Sequence, residues 1–208
     1  LSSEDLAVLE GIRQEIRSDD LSRFIKRLLD VIFSFLGLVA VLPFFPLIVF
    51  LIRRDSRGRA LIAQTRVGKN GKYFTLYKFR TMACDTPLYA PAPRDNNDSR
   101  VTRVGIILRR YSIDELPQLW NVLRGEMSIV GPRPEMEFIT KSYLPWQRIR
   151  LEAKPGITGL WQILGRKDLP LEENLEYDLY YVFNQSLFLD LAIIAKTIPH
   201  LFLSRGAY

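Results

Sequence analysis

A chain of 208 residues with a formal charge of +6 has room for one compact domain and an appendage, and its charge suits an acidic partner: nucleic acid, anionic lipid or a phosphorylated substrate. Cys84 is the single cysteine, which excludes an intrachain disulfide and a thiolate zinc cluster. His200 is the single histidine, which excludes histidine-rich metal sites and leaves acid–base work to carboxylates.

In chain order, the first residue is Leu1 rather than methionine, as expected of a fragment or processed product. Leu6, Leu9, Ile12 and Ile16 recur at helical spacing, predicting an amphipathic helix over Ser3 to Arg17. Residues 1–21 read as an N-terminal helix or linker. From Val31 to Ile52 there is no charged residue. A straight helix of that length, rising ~1.5 Å per residue, would cross a ~30 Å hydrocarbon core. Two features oppose a simple span. Pro43 and Pro46 each remove a helical hydrogen bond and clash with the carbonyl four residues back, so a sharp bend is expected. The flanks are basic on both sides, Arg23, Lys26 and Arg27 before and Arg53, Arg54, Arg57 and Arg59 after, whereas a spanning helix concentrates positive charge on its cytoplasmic side. Sequence physics balances a single span against a re-entrant helix–break–helix over 22–59, with both ends cytoplasmic and each half about 18 Å long. Ser34 is a candidate partner for backbone groups freed at Pro43.

Residues 60–208 read as a cytoplasmic domain. Ala60–Thr65 and Lys72–Lys78 have strand character, joined by Lys69-Asn70-Gly71, whose Asn-Gly pair favours a tight hairpin. Lys78 and Arg80, two residues apart, would share a strand face and could meet one diphosphate; a solvated basic strand end is the plainer alternative. Thr86–Arg100 is proline- and asparagine-rich and reads as a loop, and Val101–Arg110 as a short amphipathic helix.

The densest charge lies between Arg109 and Glu135. Ser112 and Glu115 fit a capping box and Pro117 suits a first helical turn, so a helix is predicted to start near residues 112–116. Its free N–H groups would keep Asp114 and Glu115 ionised. An acidic pair there is ordinarily a cap. Arg109, Arg110, Arg124 and Arg133 around it suit a site that holds a phosphate beside an acid. Such a carboxylate can act as a nucleophile, hold Mg²⁺ or take a proton. Met136–Ala153 mixes aromatic and basic residues, as an interfacial or half-buried helix would. Lys154–Gln162 is a glycine-punctuated turn and strand leading to Arg166, a candidate phosphate ligand. Glu172–Phe183 reads as a helix carrying Asp178, and Ser186–Leu203, with Pro199, as a segment lying against the core or flat on a membrane. The fold class is α+β, mostly helical: a re-entrant membrane helix–break–helix plus a small domain with a short β-hairpin and amphipathic interfacial helices.

Lys26-Arg27 with Asp30, Gln64-Thr65-Arg66-Val67-Gly68, Lys78-Phe79-Arg80-Thr81-Met82, Ser112–Leu119, Val130–Pro134 and Lys154–Arg166 stand in one order over Ser22–Leu203. In these motifs the chain resembles the bacterial sugar transferase family, the monotopic phosphoglycosyl transferases. The resemblance implies the re-entrant topology, with Pro43 and Pro46 at the break, and a catalytic domain on the cytoplasmic face of the bacterial inner membrane. It implies transfer of a sugar 1-phosphate from a UDP-sugar to polyprenyl (undecaprenyl) phosphate, through a covalent adduct on Asp114 with UMP release. Glu115 would orient Asp114, help hold Mg²⁺ or accept a proton. Substrate contacts are expected from Lys78, Arg80, Arg109, Arg133, Pro134, Glu135, Arg166 and Asp178. The implied partners are both substrates and the bilayer, with no nucleic acid and homo-oligomerisation left open. The alternative is a membrane-anchored scaffold that binds anionic lipid without catalysis.

Overall fold

The computed structural model describes residues 20–89, 98–164 and 175–203. The helix predicted over Ser3 to Arg17 lies outside them. The apolar segment forms helix α1 (Asp20–Val41) and helix α2 (Phe45–Asp55), joined by a 3₁₀ turn at Leu42–Phe44. Pro43 and Pro46 sit in the first turns of the 3₁₀ segment and of α2, where a missing N–H breaks least. The backbone keeps helical dihedrals through the join, with Val41 at φ −83°, ψ −28° and Phe44 at φ −87°, ψ −12°. The prolines therefore tighten the helix locally without taking the chain out of the helical region. Ser34 serves a nearer group than the one expected: its Oγ donates to the Asp30 carbonyl at 2.6 Å.

The burial of α1 is inverted relative to a core helix. Its buried residues are Asp30 and Ser34, whereas Phe24, Phe33, Phe35 and Leu36 are exposed. Only 6% of the most apolar stretch of Asp20–Asp55 is buried, and that helix is long and apolar enough to cross a membrane. Its polar edge is what docks. Asp30 Oδ1 accepts from Ser128 Oγ at 3.0 Å and from the Ile129 N–H at 2.9 Å. Lys26 Nζ donates to Asp190 at 2.7 Å, and the Arg27 guanidinium donates to the Val122 and Leu123 carbonyls. A helix that turns hydrogen-bonding groups inward and phenylalanines outward suits apolar surroundings on its outer face.

The hairpin forms as predicted, shifted by one or two residues. Strands β1 (Leu61–Val67) and β2 (Tyr73–Phe79) pair antiparallel from Leu61↔Phe79 to Val67↔Tyr73. Asn70 (φ 56°) and Gly71 (φ 73°) supply the left-handed residues that the turn needs. Fully buried Phe79 anchors a core with Ile52, Ala60 and Leu108, and the Phe45 ring lies 4.7 Å from it, so α2 is fixed to the end of the hairpin.

Helices α3 (Arg103–Arg110) and α4 (Gln118–Arg124) follow, α3 capped by Thr102 Oγ1 accepting the Gly105 N–H at 3.0 Å. Strand β3 (Ser128–Val130) lies parallel to β4 (Gly156–Thr158). Beyond β3 the two chains touch backbone to backbone: Gly131 N–H donates to the Thr158 carbonyl and Gly156 N–H to the Pro132 carbonyl, each at 2.9 Å. A Cβ on Gly131 would fall 2.2 Å from the Lys154 carbonyl oxygen, which is why glycine stands there. Helix α5 (Glu137–Lys141), a 3₁₀ segment (Pro145–Glu152), α6 (Leu160–Leu164), α7 (Leu175–Phe183) and α8 (Leu187–Leu203) complete the described chain. Val130, Ile149, Leu160, Tyr181, Val182 and Ile193 form their shared core, placing α8 against the body of the domain.

Candidate active site

The acidic pair does not sit where the capping box put it. Ser112 has φ 52° and ψ 25°, and its side chain caps nothing. Its N–H donates to the Arg109 carbonyl, so it terminates α3 in the left-handed conformation, which is incompatible with the extended backbone of an N-cap. Ile113–Glu115 then forms an isolated 3₁₀ turn, and α4 starts at Gln118 behind Pro117. Asp114 and Glu115 thus lie on an elbow between two helices.

The elbow borders an open cleft enclosing about 300 Å³, part of it bulk solvent, lined by Arg66, Lys78, Glu115, Gln118, Arg133 and Pro134 among others. Strand β1 supplies Arg66, β2 supplies Lys78, and the loop after β3 supplies Arg133. Arg133 Nη1 lies 3.2 Å from Glu115 Oε1. Arg66 donates to the Pro134 carbonyl at 3.2 Å and to Gln64 Oε1 at 2.9 Å, while its Nε is buried with no partner.

Burial pushes the half-buried Asp114 carboxyl up to about 7, and the adjacent Glu115 carboxylate adds to the rise; Arg109, Lys78 and Arg133 pull the other way. This reverses the expectation of a firmly ionised acid, because no helix start stabilises the pair and burial outweighs the cations. Lys78 is brought down to about 8, first by burial and then by the Arg66 and Arg133 charges. Arg66 is lowered to about 10, again chiefly by burial. Arg133 is held above its ordinary value, principally by Glu115. The result is a carboxyl poised near neutrality beside a cleft that gathers cations: a place for an anion next to a group able to attack it.

Residues 21–204 match the profile of the bacterial sugar transferase family. The chain is 43% identical over 198 residues to the exopolysaccharide production protein ExoY of Sinorhizobium fredii, covering 88% of each chain. The chain belongs to the bacterial sugar transferase family. It is also 42% identical to a UDP-glucose:undecaprenyl-phosphate glucose-1-phosphate transferase of Caulobacter vibrioides, covering 88% of this chain and 72% of that protein. A UDP-galactose-lipid carrier transferase of Erwinia amylovora is 41% identical over 90% of this chain, which spans 42% of that relative's length.

The transferase brings part of the sequence-predicted set together. Lys78, Glu115, Arg133 and Pro134 line the cleft, and Asp114 lies close enough to feel the charges of Arg109, Lys78 and Arg133. Glu135 is buried; its carboxylate lies 3.8 Å from Arg150, and its backbone carbonyl takes the Val67 N–H. Arg80 does not join Lys78. It lies one residue past β2, where strand alternation lapses, and its buried guanidinium donates to the Ser56 and Arg57 carbonyls, tying the hairpin to the linker after α2. Asp178 also lies away from the cleft, paired with Arg150 at 2.5 Å. Arg166 is outside the described residues. Two residues beyond the sequence-predicted set bear on the candidate site, Arg66 in the cleft lining and Arg150 behind it. Arg66 was visible only as one letter of the Gln64–Gly68 motif. Arg150 carried no signal, being one more cation in a basic stretch.

Among the described residues no group of three His, Cys, Asp or Glu side chains could hold a metal ion. The Asp114–Glu115 pair offers two carboxylates, which fits Mg²⁺ in its usual enzymatic form, completed by water and substrate phosphate oxygens.

Proposed function

We propose that this transferase moves a sugar 1-phosphate from a UDP-sugar to undecaprenyl phosphate, initiating surface glycan assembly. The observation that carries the reading is the half-buried Asp114, poised at about 7 beside a cleft holding Arg66, Lys78 and Arg133. The substrates for which these relatives are named supply the substrate class. In the first step a carboxylate oxygen of Asp114 attacks the β-phosphorus, the bond to the bridging oxygen breaks, and UMP leaves with that oxygen. In the second, the acceptor's phosphate oxygen attacks the aspartyl phosphosugar at phosphorus, and the bond to Asp114 breaks to regenerate the carboxylate. Lys78, Arg66 and Arg133 meet the charge that builds on the phosphoryl oxygens, in surroundings where partial burial strengthens each contact. Glu115, held by Arg133, orients Asp114 and stands beside it as metal ligand or proton acceptor. Mg²⁺, held by Asp114 and Glu115, would neutralise the diphosphate.

The exposed apolar faces of α1 and α2 support insertion in the cytoplasmic leaflet of the bacterial inner membrane. The polar anchors Lys26 and Asp30 of α1 and the apolar Ile52 end of α2 rest on the same domain, which favours the re-entrant path over a span. The test is UMP release from UDP-galactose, UDP-glucose and UDP-N-acetylgalactosamine with undecaprenyl phosphate. The wild type is expected to turn over one donor, losing activity with a chelator and regaining it with Mg²⁺. Asp114→Asn is expected to be inactive. No UMP from any donor, with vesicle binding intact, would favour the non-catalytic lipid-binding scaffold.

A further inference from the structure

The guanidinium of Arg150 is fully buried yet touches neither the cleft's acidic pair nor open solvent. It donates to Asp178 Oδ2 at 2.5 Å, to the Tyr143 hydroxyl and to the backbone carbonyl of Arg133 at 2.8 Å, with Glu135 at 3.8 Å. Burying a cation at such depth is costly unless it is paired; both terminal nitrogens of Arg150 are paired while its Nε has no partner, and Asp178, from α7, is buried to the same degree. A pair used only for packing could be replaced by apolar side chains of similar volume. What an apolar replacement could not do is hold the carbonyl of a residue whose side chain reaches the acid pair.

We infer that Arg150 is a positioning residue: it fixes the backbone of Arg133, and with it the Arg133 guanidinium on Glu115 beside Asp114. The Asp178 carboxylate compensates the charge of Arg150 and sets its orientation, and the Tyr143 hydroxyl holds another edge of the same plane. The planar fork is essential, since a lysine ammonium could keep the Asp178 pair but could not span Asp178, Tyr143 and the Arg133 carbonyl together. The linkage runs from α7 through Arg150 to the loop after β3, and from there to the elbow between α3 and α4. Through it Asp178, remote from the cleft, is coupled to the acid pair.

This inference rests on the proposed transfer reaction, and its test separates the two. Steady-state UMP release is measured for the full chain in lipid nanodiscs with undecaprenyl phosphate and the donor that the wild type uses. Arg150→Lys is expected to lower kcat by about tenfold to a hundredfold, as a misplacement near 1 Å does. The deciding measurement is a double-mutant cycle. In an Arg133→Ala background the side chain to be positioned is gone, so adding Arg150→Lys should cost less than about threefold. A purely structural role predicts the same loss in both backgrounds. Equal losses, or full activity of Arg150→Lys, overturn the inference. If Arg150→Lys does not fold, the cycle is run with Tyr143→Phe, which removes one hydroxyl from the guanidinium and is expected to lower kcat only while Arg133 is present. A wild type that releases no UMP refutes the proposed function instead.

Discussion

Asp114 and Lys78 make the proposed mechanism quantitative, because the reaction needs the first ionised and the second protonated. Asp114 lies at about 7 and Lys78 at about 8. With those two values, kcat/KM, which reports the free enzyme, should follow a bell with its maximum near pH 7.5 and fall about sevenfold by pH 6 and by pH 9. Two substitutions then move the acid limb in opposite directions. Glu115→Gln removes the second cause of the rise at Asp114, so the limb moves to lower pH, but not to the free-carboxylate range, since burial is the larger cause. Lys78→Met removes a cation that holds the Asp114 value down, so the limb moves to higher pH and the alkaline limb disappears. The assay is UMP release over pH 5.5–9.5 at substrate concentrations well below KM, read by the position of the limbs and not their height, because both variants also lose rate. A profile flat below pH 7, or both variants shifting the limb the same way, refutes the reasoning.

Other outcomes follow from the same geometry. Asp114→Asn should unfold at a higher temperature than the wild type above pH 7: an acid whose folded value is raised binds more protons when folded, so stability is lost as pH rises from about 4 to about 7, and the neutral isostere escapes that loss. The gap between the two melting temperatures should shrink as pH falls through that window. Arg80→Met should cost about 1.5–3 kcal/mol in denaturant unfolding, through the lost bonds to the Ser56 and Arg57 carbonyls, while leaving donor KM within about threefold; a large KM change with unchanged stability would return Arg80 to the cleft. Gly131→Ala should cost about 3 kcal/mol or more, or prevent folding, because its Cβ meets backbone that cannot give way, as thermal unfolding would show. Asp30→Ala should cost about 1–3 kcal/mol by leaving Ser128 Oγ and the Ile129 N–H unpaired.

Much of this fold was legible because local chemistry agreed with tertiary packing. Asn70-Gly71 demanded a hairpin, and the uncharged run from Val31 to Ile52 demanded apolar surroundings. The docking edge of α1 was not legible, since nothing local tells that Asp30 will cap the start of β3. Ser112–Glu115 misled for a related reason: a capping box requires an extended N-cap, and the termination of α3 had already committed Ser112 to the left-handed region. Lys78 and Arg80 illustrate the limit of strand alternation, which fails one residue past the last pair. Asp178, expected at the substrate, is paired instead with buried Arg150, which joins it to the Arg133 carbonyl. Long-range partners of buried charges are fixed by packing across many residues of chain, and the sequence offers no periodicity from which to read them.

The central claim is a covalent sugar-phosphate on Asp114. Intact-mass measurement after brief incubation with the UDP-sugar donor, Mg²⁺ and no acceptor tests it directly. The account predicts a mass increase equal to one sugar phosphate, located on the peptide containing Asp114, absent from Asp114→Asn and discharged by undecaprenyl phosphate. An unmodified enzyme that releases UMP only when donor and acceptor are bound together would contradict it.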